Sequence, residues 1–386
     1  MRLPDYHGGS IVNLMASLQA GLGGGRHASH PPLKLLSPEH IGRYRKVLLW
    51  VIDGLGYHYL QRHAEAIHLN AALQGSMTSV YPPTTASAVT TYLTGDAPQQ
   101  HGLTGWFTYF RELGSVMTVL PGNARYGRAG YQASGIDAAA LLGHTPFSNR
   151  IARQACTIQP AHIARSDFSL AHLGQAQLLS YRSLDEMVQE TARILQSPGD
   201  RYVYLYWPEL DTIGHHSGIG SEAARCHLLQ LDAAFAELLQ RLQGSDTLVI
   251  VSADHGLIDT SPAQTLDLGG HPDLAELLIL PLCGEPRSAF CYLRPGTGNA
   301  FDDYVTRELS DKVELIHSSQ LMDAHWFGLG EPHPELARRI GDRLLLTRSN
   351  VIIKDWVTQE KRFQMIGVHG GLSDDELFVP LILAET

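Results

Sequence analysis

Three apolar runs in this chain each end at or just short of a carboxylate, and that recurrence constrains the fold more than any other feature. Lys46 to Gly56 reads KVLLWVIDGLG, Tyr202 to Trp207 reads YVYLYW and leads to Asp211, and Thr247 to Ser252 reads TLVIVS and runs into Ala253-Asp254-His255-Gly256. A strand with bulky apolar residues at successive positions must be covered on both faces, which is the habit of parallel sheets flanked by helices. Open α/β sheets bind ligands at the edge where the strands' carboxyl ends emerge, so a carboxylate delivered there is a candidate ligand or acid/base group. Taken singly, each aspartate has an ordinary reading, because Asp-Gly is turn chemistry and a carboxylate after a strand caps the next segment. Turn chemistry does not account for three such endings in one chain.

The remaining sequence predicts a large α/β body with a smaller insertion. A chain of 386 residues at 44% hydrophobic composition can bury a large core, as one domain with an insertion or as two domains. Helices are expected over Ile11 to Leu22, Tyr57 to Leu73, Ser183 to Leu195 and Ser221 to Leu242, and short strands over Met77 to Tyr81, Ala155 to Gln159 and Phe378 to Leu383. Gly105 to Leu142 is rich in Gly, Tyr and Phe and reads as loops with short strands. From Gly270 to Asp355 the texture changes to short alternating elements. Strands are expected over Arg287 to Arg294 and Glu314 to His317, a helix over Ala300 to Leu309, and a hairpin of Arg343 to Thr347 with Val351 to Lys354 around Ser349-Asn350. The expected division is a core of residues 1–270 and 356–386 with an inserted α+β cap at 271–355.

Charge and cysteine usage narrow the partners. A net charge of −10 argues against a duplex nucleic-acid binder, since such binding needs Lys and Arg to replace phosphate counterions. A small phosphate substrate remains compatible. Cys156, Cys226, Cys283 and Cys291 have no CxxC spacing, so they are expected to be reduced, and a cytoplasmic location is the default. Ile11 to Leu22 is interrupted by Asn13, Ser17 and Gln19 and lacks a signal-peptide pattern. No run approaches the roughly 18 to 20 apolar residues of a spanning helix. Nothing in the sequence bears on oligomeric state.

The histidines give the carboxylates a specific chemistry. In DTIGHHSG, Asp211 and His215 are four apart, so one helical turn or a tight loop can aim both at a single ion. Carboxylate plus imidazole suits Zn²⁺, with Mn²⁺ also compatible. The bland reading is an N-cap aspartate and a surface histidine. Asp254 and His255 are adjacent and would point to opposite faces of a regular strand. They converge only where the strand ends, and Gly256 supplies freedom for a bend there. Adding Asp53 and the glycine-flanked His369 gives three carboxylates and three imidazoles, enough for two metal sites with three protein ligands each. Just after Pro82-Pro83, a helix is expected to begin with Thr84, Thr85 and Ser87 in its first turn, where unpaired N–H groups favour an anion. A threonine is a poor nucleophile near neutral pH, and a divalent cation is one of few ways to activate it.

Five segments together, VLLWVIDGLG, SVYPPTTASAVTTYLTGDAPQQHG, LDTIGHHSG, VSADHGL and GVHGGLSDDELFVPLI, resemble the alkaline phosphatase superfamily, and most closely its type I phosphodiesterase/nucleotide pyrophosphatase branch. They occur in the family's order and cover about a quarter of the chain while spanning it end to end. The resemblance implies an alkaline-phosphatase-like three-layer sandwich with a mostly parallel central sheet and a small α+β cap. It implies a phosphoric ester hydrolase, with Thr85 as nucleophile and Thr84 as the alternative, acting through a phosphothreonine. It further implies Asp211, His215 and His369 at one divalent ion, and Asp53, Asp254 and His255 at the other with Thr85 bridging to it.

Departures from the pattern bear on substrate. Ala88 occupies the place where the nucleotide pyrophosphatases typically carry an Asn that binds a phosphoryl oxygen, so a phosphomonoesterase, a phosphonate monoester hydrolase and a non-catalytic binding member stand as alternatives to a phosphodiesterase. No C/S-x-P-x-R context marks a sulfatase, and the separate lid of a cofactor-independent phosphoglycerate mutase is missing. Tyr81, Trp106, Phe107, Tyr109 and Phe110 could stack on a base or aryl group or belong to the core. His216 and His271 are candidate neighbours of the site or turn residues, and Arg287 and Arg294 are candidate phosphate ligands.

Overall fold

In the computed structural model, which describes residues 2–127, 130–358 and 360–386, the Lys46–Ile52 strand lies at the centre of a seven-stranded sheet. The strand order is Leu73–Thr78, Phe378–Glu385, Thr247–Ser252, Lys46–Ile52, Arg201–Trp207, Gln154–Pro160, Gln177–Tyr181. The five strands from Thr247–Ser252 onward are mutually parallel. Phe378–Glu385 runs antiparallel to both of its neighbours. Every residue of Lys46–Ile52 and of Thr247–Ser252 is buried, so helices cover both faces as the apolar runs require. Ile11–Gly21 packs with Thr85–Thr94, and the long Glu222–Arg241 helix packs with Leu184–Gln196 and Ile67–Ala71.

Register is what gathers the strand ends. Ile52 pairs with Trp207 and Val51 with Ser252. Three adjacent strands therefore finish at the same level, and the chain beyond each contributes its carboxylate to one edge. The expected helix over Tyr57 to Leu73 is instead two short helices, Tyr57–Arg62 and Ile67–Ala71, followed directly by the Leu73–Thr78 strand. The break between them is held by Asn70, whose Nδ2 donates to the carbonyls of His63 and Ala66 at 3.0 and 2.9 Å. The strand expected at Met77 to Tyr81 thus lies earlier and stops before the prolines.

A second sheet, antiparallel throughout, stands over this edge in the order Val313–His317, Arg343–Thr347, Ser288–Cys291, Cys283–Glu285, Phe107–Phe110, Ser115–Thr118, Asn123–Ala124. Its strands come from 283–347 and from 107–124, joined through the pairing of Gly284 with Phe107. The Gly105 to Leu142 segment, read as loops with short strands, supplies three of those strands to this sheet. The expected hairpin around Ser349-Asn350 does not form. Both edges of Arg343–Thr347 are taken, by Ser288–Cys291 and by Val313–His317, and Ile352–Lys354 leaves to pair in parallel with Thr265–Asp267. Among the described residues no helix is long and apolar enough to cross a membrane, and the four cysteines are unpaired.

Candidate active site

Asp53 follows the central strand directly, and its N–H donates to the Trp207 carbonyl at 2.9 Å. Gly54 then turns with φ of 78°; a Cβ there would lie 2.5 Å from Leu257 Cδ1 and 3.1 Å from Asp211 Cβ. That close approach lets Asp211, in the first turn of the Glu209–Ser217 helix, come up beside the strand end. His215 lies one turn further on the same helix, its Nε2 3.2 Å from Asp211 Oδ2. Asp254 and His255 converge beyond the end of their strand, as their adjacency demands. Gly256 serves here by its size, because a Cβ at that position would lie 2.0 Å from the Asp375 carbonyl oxygen.

The six residues form one continuous cluster, buried except for the partly exposed His215. His255 Nε2 is 3.3 Å from Asp53 Oδ1 and 3.5 Å from Asp254 Oδ2. The His255 and His369 rings stack with centroids 3.8 Å apart, and His369 Nε2 is 3.9 Å from Asp211 Oδ1. Two sets of three donor atoms lie within 4.8 Å of one another: Asp53, Asp254 and His255, and Asp211, His255 and His369. His215 joins the second set through Asp211. His255 is thus central to both sets, a sharing that spacing alone did not reveal.

This donor set suits divalent cations. Asp53 Oδ1, Asp211 Oδ1 and Asp254 Oδ2 are buried with no hydrogen-bond partner, and such stranded carboxylate oxygens are costly unless a cation meets them. Burial and the nearby Asp254 and Asp211 push the Asp53 carboxyl well above its usual range, and burial also raises that of Asp254. Burial acts on Asp211 too, but the imidazoles of His215 and His369 outweigh it and hold that carboxyl low. The second ring nitrogens are oriented: His215 Nδ1 meets the Gly367 carbonyl at 2.8 Å and His255 Nδ1 the Gly256 carbonyl at 3.1 Å. A carbonyl only accepts, so Nδ1 carries the proton and Nε2 is the nitrogen available as a ligand.

Thr85 begins the Thr85–Thr94 helix, and its Oγ1 is 3.2 Å from His255 Nε2. Thr84, at the N-cap position, gives that helix no side-chain cap. Its fully buried hydroxyl donates to Glu285 Oε1 at 2.6 Å instead. The N–H groups of the helix's first turn therefore keep their capacity for an anion. Ala88 is buried in that helix.

A cavity of about 380 Å³ opens from Thr85, Asp211, His215 and His369 toward the cap. Trp106 and Phe107 are on its wall. The other three aromatic candidates serve elsewhere: Tyr81 packs edge-on to Trp326, Phe110 lies under the Arg339 guanidinium, and Tyr109 packs on Tyr292. His216 packs edge-on to Phe363, and His271 pairs with the Tyr304 hydroxyl in the cap. Neither arginine reaches the cluster. Arg287 is buried against Glu376, and Arg294 donates to the Glu276 carbonyl.

Two site residues escaped the sequence reading. Tyr206 donates its hydroxyl to Asp53 Oδ2, and its signal lay in the register, since Tyr206 pairs with Val51 just before Asp53. Glu285 accepts from Thr84 Oγ1 and from the Trp106 N–H, each at 2.6 Å, and burial raises its carboxyl to about 7. CGEP reads as an ordinary turn, and nothing local marks its glutamate.

Comparison with known proteins bears on the fold and the family. Murine ectonucleotide pyrophosphatase/phosphodiesterase 5 superposes with a TM-score of 0.67 at 16% identity, covering 87% of this chain and 87% of that one. That murine protein is also known as an inactive variant in complex with AMP. Phosphonoacetate hydrolase from Sinorhizobium meliloti, in complex with phosphonoformate, superposes with a TM-score of 0.65 at 17% identity, covering 88% and 90%. At these identities the likeness establishes the fold, an alkaline-phosphatase-like α/β sandwich. No curated protein matches in sequence. Residues 47–325, well over half of the chain, match the type I phosphodiesterase / nucleotide pyrophosphatase family. The chain therefore belongs to that family of phosphoric ester hydrolases, within the alkaline phosphatase superfamily.

Proposed function

We propose that the protein is a phosphodiesterase-type hydrolase of small phosphate esters that uses Thr85 as nucleophile beside two divalent cations. The observation that carries this reading is the cluster itself: three buried carboxylates with stranded oxygens, facing oriented imidazoles, at the hydroxyl of a helix's first residue. Asp53, Asp254 and His255 would hold one ion, with Thr85 at its edge, and Asp211, His215 and His369 the other. Mixed carboxylate and imidazole donors suit Zn²⁺ best and Mn²⁺ next. When bound, such ions lower the pKa of a hydroxyl and neutralise charge on phosphoryl oxygens and the leaving group.

The chain's own residues do the positioning. Glu285 fixes Thr84, which leaves the following hydroxyl aimed at the cluster. First-turn N–H groups of the helix orient the non-bridging oxygens. Thr85 Oγ then bonds to phosphorus as its proton passes to solvent, and the leaving oxygen departs with the electron pair of the broken P–O bond and takes up a proton from solvent. Water cleaves the resulting phosphothreonine and restores the hydroxyl. A phosphomonoesterase or phosphonate monoester hydrolase of the same superfamily is the second reading, favoured by Ala88 and by the fold's likeness to a protein that binds phosphonoformate. The unpaired cysteines support placing the protein in the reducing cytoplasm.

Rates of the Zn²⁺- or Mn²⁺-loaded protein on a nucleotide diester, a nucleotide monoester and a phosphonate monoester test the assignment. Fastest turnover of the diester supports it. Preference for either monoester selects the second reading, and no turnover of any ester by metal-loaded protein contradicts both.

A further inference from the structure

Three cations line the cavity above Thr85, the half-buried Arg125 and Lys354 and the exposed Lys361, and the two half-buried ones differ in how they are used. Arg125 is fully committed. It pairs with Asp355 at 2.8 Å and with Glu360 at 3.0 Å, donates to the Leu282 carbonyl at 2.9 Å, and lies over the Phe107 ring. Lys354, half-buried on the same wall, has no such partners. Among the described residues its ammonium makes no ion pair, and its one hydrogen-bond contact is the Met365 sulfur at 3.4 Å, a weak acceptor. The Trp356 ring lies 5.4 Å away.

The position of Lys354 is built rather than incidental. It ends the Ile352–Lys354 strand, whose parallel pairing with Thr265–Asp267 fixes the backbone. The next residue, Asp355, is occupied by Arg125 and by the Leu282 N–H at 2.7 Å. The nearby carboxylates of Asp355 and Glu360 are thereby spent on Arg125. Burial lowers the Lys354 pKa, outweighing the Glu360 and Glu285 carboxylates, which act in the opposite direction without contacting the ammonium. Four aromatic rings, Trp106, Phe107, Trp356 and Phe363, line the same cavity and offer it apolar faces.

We propose that Lys354 binds an anionic group on the organic part of the substrate, remote from the reacting phosphorus, so that preferred esters carry negative charge at both ends of a flat apolar body. This rests on the hydrolase reading for the position of the reacting end. A carboxylate and a second phosphate share the required chemistry, and the test separates them.

The test measures binding to metal-loaded protein by quenching of tryptophan fluorescence, since Trp106 and Trp356 line the cavity. The probes are benzylphosphonate, 4-carboxybenzylphosphonate and the para-bis(phosphonomethyl) analogue. Wild type is expected to bind one or both doubly anionic probes roughly 10- to 100-fold tighter than benzylphosphonate, the factor carried by a hydrogen bond to a charged group. The probe that gains identifies the anion. Lys354→Met should lose that preference while keeping its affinity for benzylphosphonate within about twofold, and Lys354→Arg should retain most of it. Equal affinities in wild type, a preference that survives Lys354→Met, or a uniform loss of all three probes in that variant would each overturn the proposal. Failure of the hydrolase reading shows separately, as absence of ester turnover by wild type whatever it binds.

Discussion

Arg287→Met tests how the second, antiparallel sheet is fastened to the seven-stranded, mostly parallel layer. The Arg287 guanidinium is 2% exposed and forms a two-pronged pair with Glu376, Nε to Oε1 at 3.0 Å and Nη2 to Oε2 at 2.9 Å. Its third nitrogen donates to Thr347 Oγ1 and to the Val351 carbonyl. Glu376, fully buried, also accepts from the Gly371 N–H at 2.7 Å and the Ser373 hydroxyl at 2.6 Å. The pair thus ties the second sheet to the segment that follows His369. Methionine keeps much of the apolar stem but leaves Glu376 buried without its cation. Removing one partner of such a pair costs about 3–5 kcal/mol. Because Glu376 keeps two hydrogen bonds, the expected loss is near the lower end, about 3 kcal/mol, a large share of the ~5–15 kcal/mol that holds a typical protein folded. Urea unfolding followed by circular dichroism should show the midpoint falling accordingly. Arg287→Met with Glu376→Gln should recover part of the loss, since the uncompensated charge is gone. An unchanged midpoint together with weakened phosphonate binding would refute the reasoning and return Arg287 to the role of a phosphate ligand.

Two further outcomes follow from other contacts. Tyr206 lowers the Asp53 pKa through its hydroxyl, so Tyr206→Phe should raise it and weaken metal binding roughly tenfold or more, read by chelator competition, with the acid limb of metal binding moved to higher pH. Away from the site, His101, His144 and His172 form a buried group, with His144 Nδ1 2.8 Å from His172 Nε2 and His144 Nε2 2.8 Å from the His101 carbonyl. Burial holds all three neutral, with His144 lowered to about 3 and His172 to about 4. Their folded pKa values lie below the unfolded value, so their contribution is intact above about pH 6.5 and is lost as pH falls, by up to about 1.4 kcal/mol per unit for each. Urea midpoints between pH 7 and 5 should drop steeply in wild type and less steeply in His172→Gln; parallel profiles would contradict this.

The sequence carried the centre of the site because strand ends are written locally. Apolar runs stopping at Asp53 and Asp254, and the four-residue spacing of Asp211 and His215, needed only a parallel register to bring them together, and Ile52 opposite Trp207 supplies it. What stayed hidden depends on contacts between distant segments. Glu285 meets Thr84 only because Gly284 pairs with Phe107 across the cap. Arg287 looked like a phosphate ligand until its partner, Glu376, arrived from the C-terminal segment. The misplaced hairpin at Ser349-Asn350 has the same origin, since local turn chemistry was right while strand neighbours were chosen by Thr265–Asp267 and Ser288–Cys291. Pairing partners are set by the whole sheet, and no short window contains them.

The central claim, that Thr85 is the nucleophile beside two cations, is tested most directly by Thr85→Ala, with bound metal and ester turnover measured on the same sample. Thr85 lies at the edge of the donor cluster, with its hydroxyl 3.2 Å from His255 Nε2, and the six Asp and His donors remain in the variant. The account predicts about two divalent ions per chain in both proteins, turnover in wild type alone, and a phosphoryl group recovered on the wild-type peptide that contains Thr85. Turnover that survives the substitution would contradict it.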